Sequence, residues 1–118
     1  MRHNQVLGKT GEQIAALFFT EQGYEVVEQN WRSKAGEIDL IVRKSDEWRF
    51  VEVKMRSSAA FGYPEEAVDD EKNEHFYDAI SDFLAENRQI NEELVHADIL
   101  SIILNTKEFD IRWLPDCV

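Results

Sequence analysis

The chain has 118 residues, of which 43% are hydrophobic and 11% aromatic, so it can form one domain around a hydrophobic core and is not a disordered polypeptide. Its one cysteine, Cys117, excludes an internal disulfide framework and a zinc site made of cysteines, and no apolar run approaches the roughly 20 residues of a membrane span. The net charge of −11 argues against a general affinity for nucleic acid, because Lys and Arg bind phosphate. No apolar run near Met1 suggests a signal peptide, so we expect a soluble cytoplasmic protein with a single domain over residues 1–118.

The first predicted element is a helix. Residues 10–13, Thr-Gly-Glu-Gln, resemble a capping box that would open a helix running toward Gln22, and Gly23 is a suitable stop. A helix that begins earlier, near Asn4, is the alternative, although it would then contain Gly8 as well as Gly11.

A strand, a loop and a hairpin follow. Residues 24–29 predict the first strand and residues 30–36 a loop. The hairpin strands cover residues 37–43 and 48–54, with the turn at Ser45-Asp46. Apolar residues occupy most of both faces of these two strands, which is typical of central strands that are covered on both sides.

The register of this hairpin opposes charged side chains. It places Asp39 opposite Glu52 and Glu37 opposite Lys54. Like charges that face each other across antiparallel strands destabilise a sheet, so two opposed carboxylates need a reason. A bound divalent cation is the simplest one.

The second half of the chain predicts a helix and two more strands. Residues 55–63 form a loop, and a helix start at Pro64 is followed by a longer helix over about 70–88, with Phe76, Ala79, Ile80, Phe83 and Leu84 as its buried stripe. Residues 95–104 and 109–114 predict the last strand pair. The order αβββαββ predicts an α+β fold in which a mixed sheet of about five strands is flanked by helices.

The charged residues of the hairpin match the D-x(n)-E-x-K pattern of metal-dependent phosphodiesterases. Asp39 and Glu52 offer the hard oxygen ligands that suit Mg²⁺ or Mn²⁺, and the carbonyl of Val53 could add another. Lys54 points to the same face as Glu52, where it could orient a water or offset charge on a phosphate. Glu12 on the first helix could complete the metal shell or act through a water.

Plainer interpretations of the same residues stay open. Glu37 and Lys54 could form a cross-strand ion pair while Asp39 and Glu52 merely reach solvent. Trp31 and Arg32, in the predicted loop, could stack on a base or hold phosphate, but a tryptophan that covers the core fits as well. Asp98 could approach the cluster or be an ordinary acid at a strand end.

Several sequence runs together resemble a known family. They are Gly11-Glu12, Asn30-Trp31-Arg32, Gly36-Glu37-Ile38-Asp39-Leu40-Ile41, Phe50-Val51-Glu52-Val53-Lys54-Met55-Arg56-Ser57 and Glu66-Ala67-Val68. The chain resembles, from about Gly8 to Trp113, the YraN-like family of predicted endonucleases in the PD-(D/E)xK superfamily, although Ile38 stands where the superfamily name has a proline. The resemblance implies a restriction-endonuclease-like fold related to archaeal Holliday-junction resolvases. It also implies a catalytic site of Glu12, Asp39, Glu52 and Lys54.

The resulting functional hypothesis is a Mg²⁺- or Mn²⁺-dependent endonuclease that acts on DNA rather than RNA, with branched or structured DNA as the favoured substrate. The expected nucleic-acid contacts are Trp31, Arg32, Arg56, Ser57 and Lys72, of which Lys72 matches a lysine of the family. Cutting a four-way junction takes two active sites, so we expect a homodimer.

The distribution of charge supports two alternatives. Residues 1–58 have nine basic and nine acidic side chains, whereas residues 59–118 have four basic and fifteen acidic ones and so account for the net charge. A strongly acidic half repels phosphate, which favours a non-catalytic nucleic-acid- or protein-binding module of nuclease fold. A more distant alternative is an acidic partner for a basic protein.

Overall fold

The computed structural model describes the backbone of residues 3–56, 70–104 and 108–118, and the side chains of residues 10–56, 73–104 and 108–118. The elements in chain order are α1 (His3–Glu21), β1 (Glu25–Arg32), β2 (Glu37–Lys44), β3 (Glu47–Arg56), α2 (Asp70–Glu86), a short 3₁₀ helix (Glu92–Leu94), β4 (Val95–Leu104) and β5 (Phe109–Leu114). The predicted order αβββαββ and the α+β class are confirmed. Among the residues described, no helix combines the length and hydropathy needed to cross a membrane.

The five strands form one mixed sheet in the order β1-β2-β3-β4-β5. β3 and β4 are parallel, and the other neighbouring pairs are antiparallel. The β2–β3 hairpin has the predicted register from Lys44–Glu47 to Leu40–Val51, with Ser45 at a φ of 55° in its turn. The ladder of paired residues ends at Leu40, one position before Asp39.

The two helices cover opposite faces of the sheet with two separate clusters of buried side chains. The cluster on the α1 face contains Ala15, Phe19, Tyr24, Leu40, Val42, Val51, Leu100 and Ile102. The cluster on the α2 face contains Ile38, Ile41, Trp48, Phe50, Phe76, Ala79, Ile80, Phe83 and Ile90. Strict alternation would place Ile38 with Leu40 and Val42, and that prediction is wrong. Ladder pairing with β3 stops at Leu40, and side chains alternate faces regularly only along a regular strand.

Four element boundaries differ from the prediction by two residues or more. α1 begins at His3. The alternative early start is therefore correct, and Thr10 lies inside the helix. β1 extends through Trp31 and Arg32, which pair with Ile38 and Glu37 of β2, so these two residues are not in a loop.

β3 continues to Arg56, and α2 ends at Glu86. The predicted loop over residues 57–63 and the helix start at Pro64 lie outside the described residues.

Gly36 lets α2 approach the start of β2. A Cβ atom at this position would lie 2.6 Å from the backbone carbonyl oxygen of His75, which cannot rotate away because it belongs to the helix backbone. The absence of a side chain at Gly36 therefore fixes the distance between α2 and the strand that carries Glu37 and Asp39.

We expect Gly36→Ala to lower the free energy of unfolding by about 1–3 kcal/mol, as other overpacked sites do. Urea denaturation measures the loss. Gly11→Ala is the matched control, since its Cβ would meet the flexible side chain of Met55, with 3.1 Å to the sulfur. An effect of Gly36→Ala no larger than that of Gly11→Ala would contradict the interpretation.

Candidate active site

Asp39 occupies the point at which β2 and β3 stop pairing. Its Oδ2 accepts a hydrogen bond from the backbone N–H of Val53, with an N–O distance of 2.8 Å. The carboxylate thus takes a position that a backbone carbonyl would have in a continued ladder. The side chain is half-buried and lies between the two strands.

Glu12 and Glu37 bring two further carboxylates to Asp39. One carboxylate oxygen from each of the three residues lies within 4.8 Å of the others. Glu12 reaches this point because α1 packs closely on β3 at Gly11, where a side chain would contact Val53 and Met55. The cluster of Glu12, Glu37 and Asp39 is hereafter the carboxylate triad.

The environment of Asp39 disfavours a negative charge. The pKa of its carboxyl group is raised from 3.8 to about 7, with burial as the largest cause. The hydrogen bond from the Val53 N–H lowers this pKa, and repulsion by Glu37, Glu52 and Glu12 raises it. Oxygen donors concentrated in this way are the ligands that hard divalent cations prefer. The residues present therefore fit Mg²⁺ or Mn²⁺, which would replace repulsion with attraction.

Glu52 and Lys54 form an ion pair beside the triad. The Nζ atom of Lys54 lies 3.3 Å from Oε1 of Glu52, and the two side chains are 10% and 11% exposed. The structure thus pairs Lys54 with Glu52 rather than with Glu37, and Glu52 is buried rather than solvated. The cross-strand pair of Glu37 and Lys54 considered above is not what the structure shows.

Two side chains from β1 contact carboxylates of the triad. Nδ2 of Asn30 donates a hydrogen bond to Oε2 of Glu12 at 2.9 Å. The Nε atom of Arg32 lies 3.8 Å from Oε2 of Glu37, but its side chain is 75% exposed, so this pair contributes little to stability. Asn30 therefore orients Glu12. It belongs to one of the runs that carry the family resemblance, but no role was predicted for it.

The other predicted nucleic-acid contacts fall into three groups. The ring of Trp31 packs edge-on against Phe83 with 5.2 Å between centroids, which agrees with the core-covering interpretation. Arg32 is exposed and Arg56 is half-buried at the end of β3. Ser57 lies outside the described residues, and Lys72 lies in α2 without a described side chain. For Val53 the structure shows the N–H bond to Asp39, and a role for its carbonyl stays a prediction.

Sequence reasoning missed two buried polar atoms, one on α2 and one on β4. The Oδ1 atom of Asn73 and the Oγ atom of Ser101 are buried and have no hydrogen-bond partner among the described residues. Ser101 is the direct neighbour of Lys54 in the parallel ladder between β3 and β4, so their side chains share a face. Because β3 and β4 are far apart in sequence, no local sequence pattern indicates that Ser101 lies beside Lys54.

Asp98 does not approach the triad and is not an ordinary strand-end acid, so both interpretations of it were wrong. It is fully buried. It accepts hydrogen bonds from Nη1 of Arg49, from Nε1 of Trp113 and from the backbone N–H of Asp116, at 2.9 to 3.1 Å. Along β3, Arg49 lies near the hairpin turn, whereas Glu52 and Lys54 lie toward the opposite end.

We expect Asn30→Gly to weaken Mn²⁺ binding by about tenfold, since removal of a residue that orients a ligand typically has an effect of this size. Glycine also tolerates the φ of 53° found at this position. Titration calorimetry measures the affinity. The neighbouring exposed change Gln29→Ala should leave it unchanged, and equal affinities in all three proteins would exclude the orienting role of Asn30.

The fold has a solved counterpart. Over 88% of this chain and 72% of the other, the structure is similar to that of Hjc, a Holliday junction resolvase from Archaeoglobus fulgidus, with a TM-score of 0.52 and 12% sequence identity. This likeness shows the fold, which is restriction-endonuclease-like as expected.

Relatives in sequence are closer. Residues 11–111 match the uncharacterised protein family UPF0102. A UPF0102 protein of Natranaerobius thermophilus is 41% identical over 116 residues, covering 97% of this chain and 98% of the relative. One of Dictyoglomus turgidum is 38% identical over 111 residues, covering 94% and 93%. The chain therefore belongs to the UPF0102, or YraN-like, family.

Proposed function

We propose that the protein is a metal-dependent endonuclease that hydrolyses phosphodiester bonds in DNA. One observation carries the proposal: the carboxylate triad converges at the end of the β2–β3 ladder, beside the buried pair of Glu52 and Lys54. The fold shared with a solved Holliday junction resolvase supports it.

Each acidic residue has a role in holding a cation. Asp39, Glu12 and Glu37 would provide carboxylate oxygens, and Glu52 and the carbonyl of Val53 would provide further ligands. A bound Mg²⁺ or Mn²⁺ supplies Lewis acidity toward a phosphate oxygen and lowers the pKa of a coordinated water. The N–H of Val53 keeps Asp39 in place before the cation arrives, which reduces the cost of ordering the site.

Lys54 supplies the positive charge of the site. Its ammonium group can donate three hydrogen bonds and is held beside Glu52. The Lys54 side chain is only 10% exposed to solvent. In this position it would donate to a non-bridging phosphate oxygen or orient the attacking water. Arg32 and Arg56 would contact the neighbouring phosphates, which position the substrate without reading its sequence.

The favoured substrate is branched DNA. This choice is taken from the Holliday junction resolvase with which the chain shares its fold. A four-way junction presents two equivalent strands to be cut, so a homodimer with two active sites would suit it. The second candidate is a non-catalytic binding module of the same fold. The fifteen acidic residues within positions 59–118 favour that candidate, because they repel phosphate.

Cleavage assays with Mn²⁺ test the proposal on a four-way junction, a duplex, a single strand and RNA of matching sequence. We expect the junction to be cut, and Asp39→Asn, Glu52→Gln and Lys54→Met each to slow cutting by about a hundredfold or more. Asp46→Asn, an exposed carboxylate in the hairpin turn, is the charge-matched control and should retain full activity.

Two outcomes would contradict this function. Metal-dependent cutting that survives both Asp39→Asn and Glu52→Gln would reject the assigned site. Calorimetric Mn²⁺ binding without cleavage of any of the four substrates would favour the non-catalytic module.

A further inference from the structure

A groove runs along α2 on the side that faces the start of β4. It consists of two cavities. One of about 440 Å³ is lined by Ser81, Leu84, Ala85, Arg88, Ile90 and Glu92. One of about 290 Å³ is lined by Tyr77, Ile80, Val95, Ala97, Asp116 and Val118.

The two cavities follow one another along α2, since the smaller is lined by Tyr77 and Ile80 and the larger by Ser81, Leu84 and Ala85. Their helical members lie three or four residues apart from Tyr77 to Ala85, on one face of α2, and Arg88 follows the end of the helix. The nine helical residues from Tyr77 to Ala85 span about 12 Å, or a little more than two turns. The floor is apolar, and Leu84, Val95 and Ala97 on it are only half-buried. We refer to the two cavities together as the α2 groove.

Carboxylates border the α2 groove on both sides. Along α2, four exposed acids repeat every fourth residue, next to the helix face that lines the groove: Glu74, Asp78, Asp82 and Glu86. Across the groove stand Glu92 and Asp116. Among the described residues that line the groove, Arg88 is the one cation.

Neither the fold nor the carboxylate triad requires this row of charges. Like charges four residues apart destabilise a helix, so the row opposes the formation of α2. The groove and the triad lie toward opposite ends of β3: Val95 and Ala97 pair with Trp48 and Phe50 near the hairpin turn. Glu52 and Lys54, beside the triad, lie toward the other end of that strand. The acidic row is therefore a separate feature that needs its own explanation.

We propose that the α2 groove docks an amphipathic helical segment, rich in Lys and Arg, of a different protein. Apolar side chains of the segment would fill the two cavities, and its basic side chains would face the carboxylates on either side. The helical lining of the groove suits a segment of about two helical turns. A nucleic acid is disfavoured because its phosphates meet the same carboxylates, and a second copy of the chain is disfavoured because it also has a net charge of −11.

A synthetic helical peptide with leucines on one face and lysines on the other is a suitable probe. Fluorescence anisotropy should show that it binds at least tenfold more tightly than two comparison peptides, one with glutamate in place of lysine and one with serine in place of leucine. Equal binding of either comparison peptide would overturn the proposal.

Substitutions on the protein locate the site. Asp78→Lys combined with Asp82→Lys should weaken binding of the basic peptide at least tenfold, and Ala85→Trp should do the same by filling the larger cavity. Should Ala85→Trp lose its far-ultraviolet circular dichroism, Asp78→Asn with Asp82→Asn serves in its place. The matched charge reversal Glu25→Lys with Asp46→Lys, on the exposed surface of β1 and the hairpin turn, should leave affinity unchanged within twofold.

Nuclear magnetic resonance separates the groove from the carboxylate triad. On peptide addition, amide signals of residues 77–97 should shift, and those of Glu12, Glu37 and Asp39 should not. Shifts confined to the triad, an equal loss of affinity in the control reversal, or self-association of the free protein through the groove would each overturn the proposal. Nuclease activity is measured separately, so its absence would leave this result unaffected.

Discussion

In metal-free buffer at pH 8, the Asp39→Asn variant should be more stable than the parent protein. The carboxyl group of Asp39 has a pKa of about 7 in the folded protein, because it is buried and surrounded by other carboxylates, whereas its ordinary value is 3.8. The ionised carboxylate of Asp39 is therefore less stable in the folded state than in the unfolded state, and its charge lowers the free energy of unfolding. Asparagine removes the charge and can still accept the hydrogen bond from Val53 through its amide oxygen.

The sign and the pH range of this effect follow from the two pKa values. Above pH 7 both states are ionised, and the folded state pays the full cost of burying the charge. As the pH falls from about 7 to about 4, the folded state takes up a proton that the unfolded state does not, and the cost disappears. One pKa unit corresponds to about 1.4 kcal/mol, so a gain on the order of 2 to 4 kcal/mol is expected at pH 8 after allowance for screening.

Thermal unfolding with a chelator at pH 8 and at pH 4.5 measures the gain, which should be much smaller at the lower pH. Millimolar Mn²⁺ should raise the melting temperature of the parent protein and not that of Asp39→Asn, since a ligand stabilises only the state that binds it. Asp46→Asn, which is exposed, should change neither. A destabilised Asp39→Asn at pH 8 would show that the carboxylate stabilises the fold and is not kept for function.

The strands of the fold could be predicted where alternation is strong. The bounds of β4 and β5 and the register of the hairpin follow from apolar residues at regular spacing. The end of β1 could not be predicted, because residues 30–33 have the polar composition of a turn. Trp31 extends the strand by packing on Phe83, a contact between residues far apart in sequence.

The candidate site also has residues that the sequence could identify and contacts that it could not. Asp39 and Glu12 were selected by the sequence pattern, and the structure brings both into the triad. Glu37 was assigned to Lys54 as a cross-strand partner, an inference that assumes a ladder continuing past Leu40. The ladder ends there instead, Lys54 pairs with Glu52, and Glu37 joins the carboxylates. A register derived from alternation cannot show where two strands separate.

No local sequence pattern could indicate the hydrogen-bond partners of Asp98. Its partners are Arg49 on β3, Trp113 on β5 and Asp116 beyond it, and only the parallel pairing of β3 with β4 brings them together. Arg49 also donates through Nε to the hydroxyl of Tyr24 and to Glu47. Arg49 thus connects the turn between α1 and β1, the hairpin and β4.

Asp98→Ala should be the most destabilising of the substitutions considered, with a loss of about 3–5 kcal/mol. It removes the buried carboxylate that pairs with Arg49 and accepts from Trp113, and leaves Arg49 with only the more exposed Glu47 as an acidic partner. The Arg49 side chain is 11% exposed and that of Asp98 is 0% exposed, so water cannot replace the lost carboxylate. Urea denaturation at pH 7 measures the loss.

The double variant Arg49→Met with Asp98→Leu distinguishes a buried charge from lost packing. Because it removes both charges and keeps apolar volume, it should lose less stability than Asp98→Ala alone. Mn²⁺ affinity should be unchanged in the double variant, since these residues lie toward the other end of β3 from Glu52 and Lys54. A double variant less stable than Asp98→Ala would mean that the hydrogen bonds to Trp113 and Tyr24, rather than the paired charges, hold this end of the sheet together.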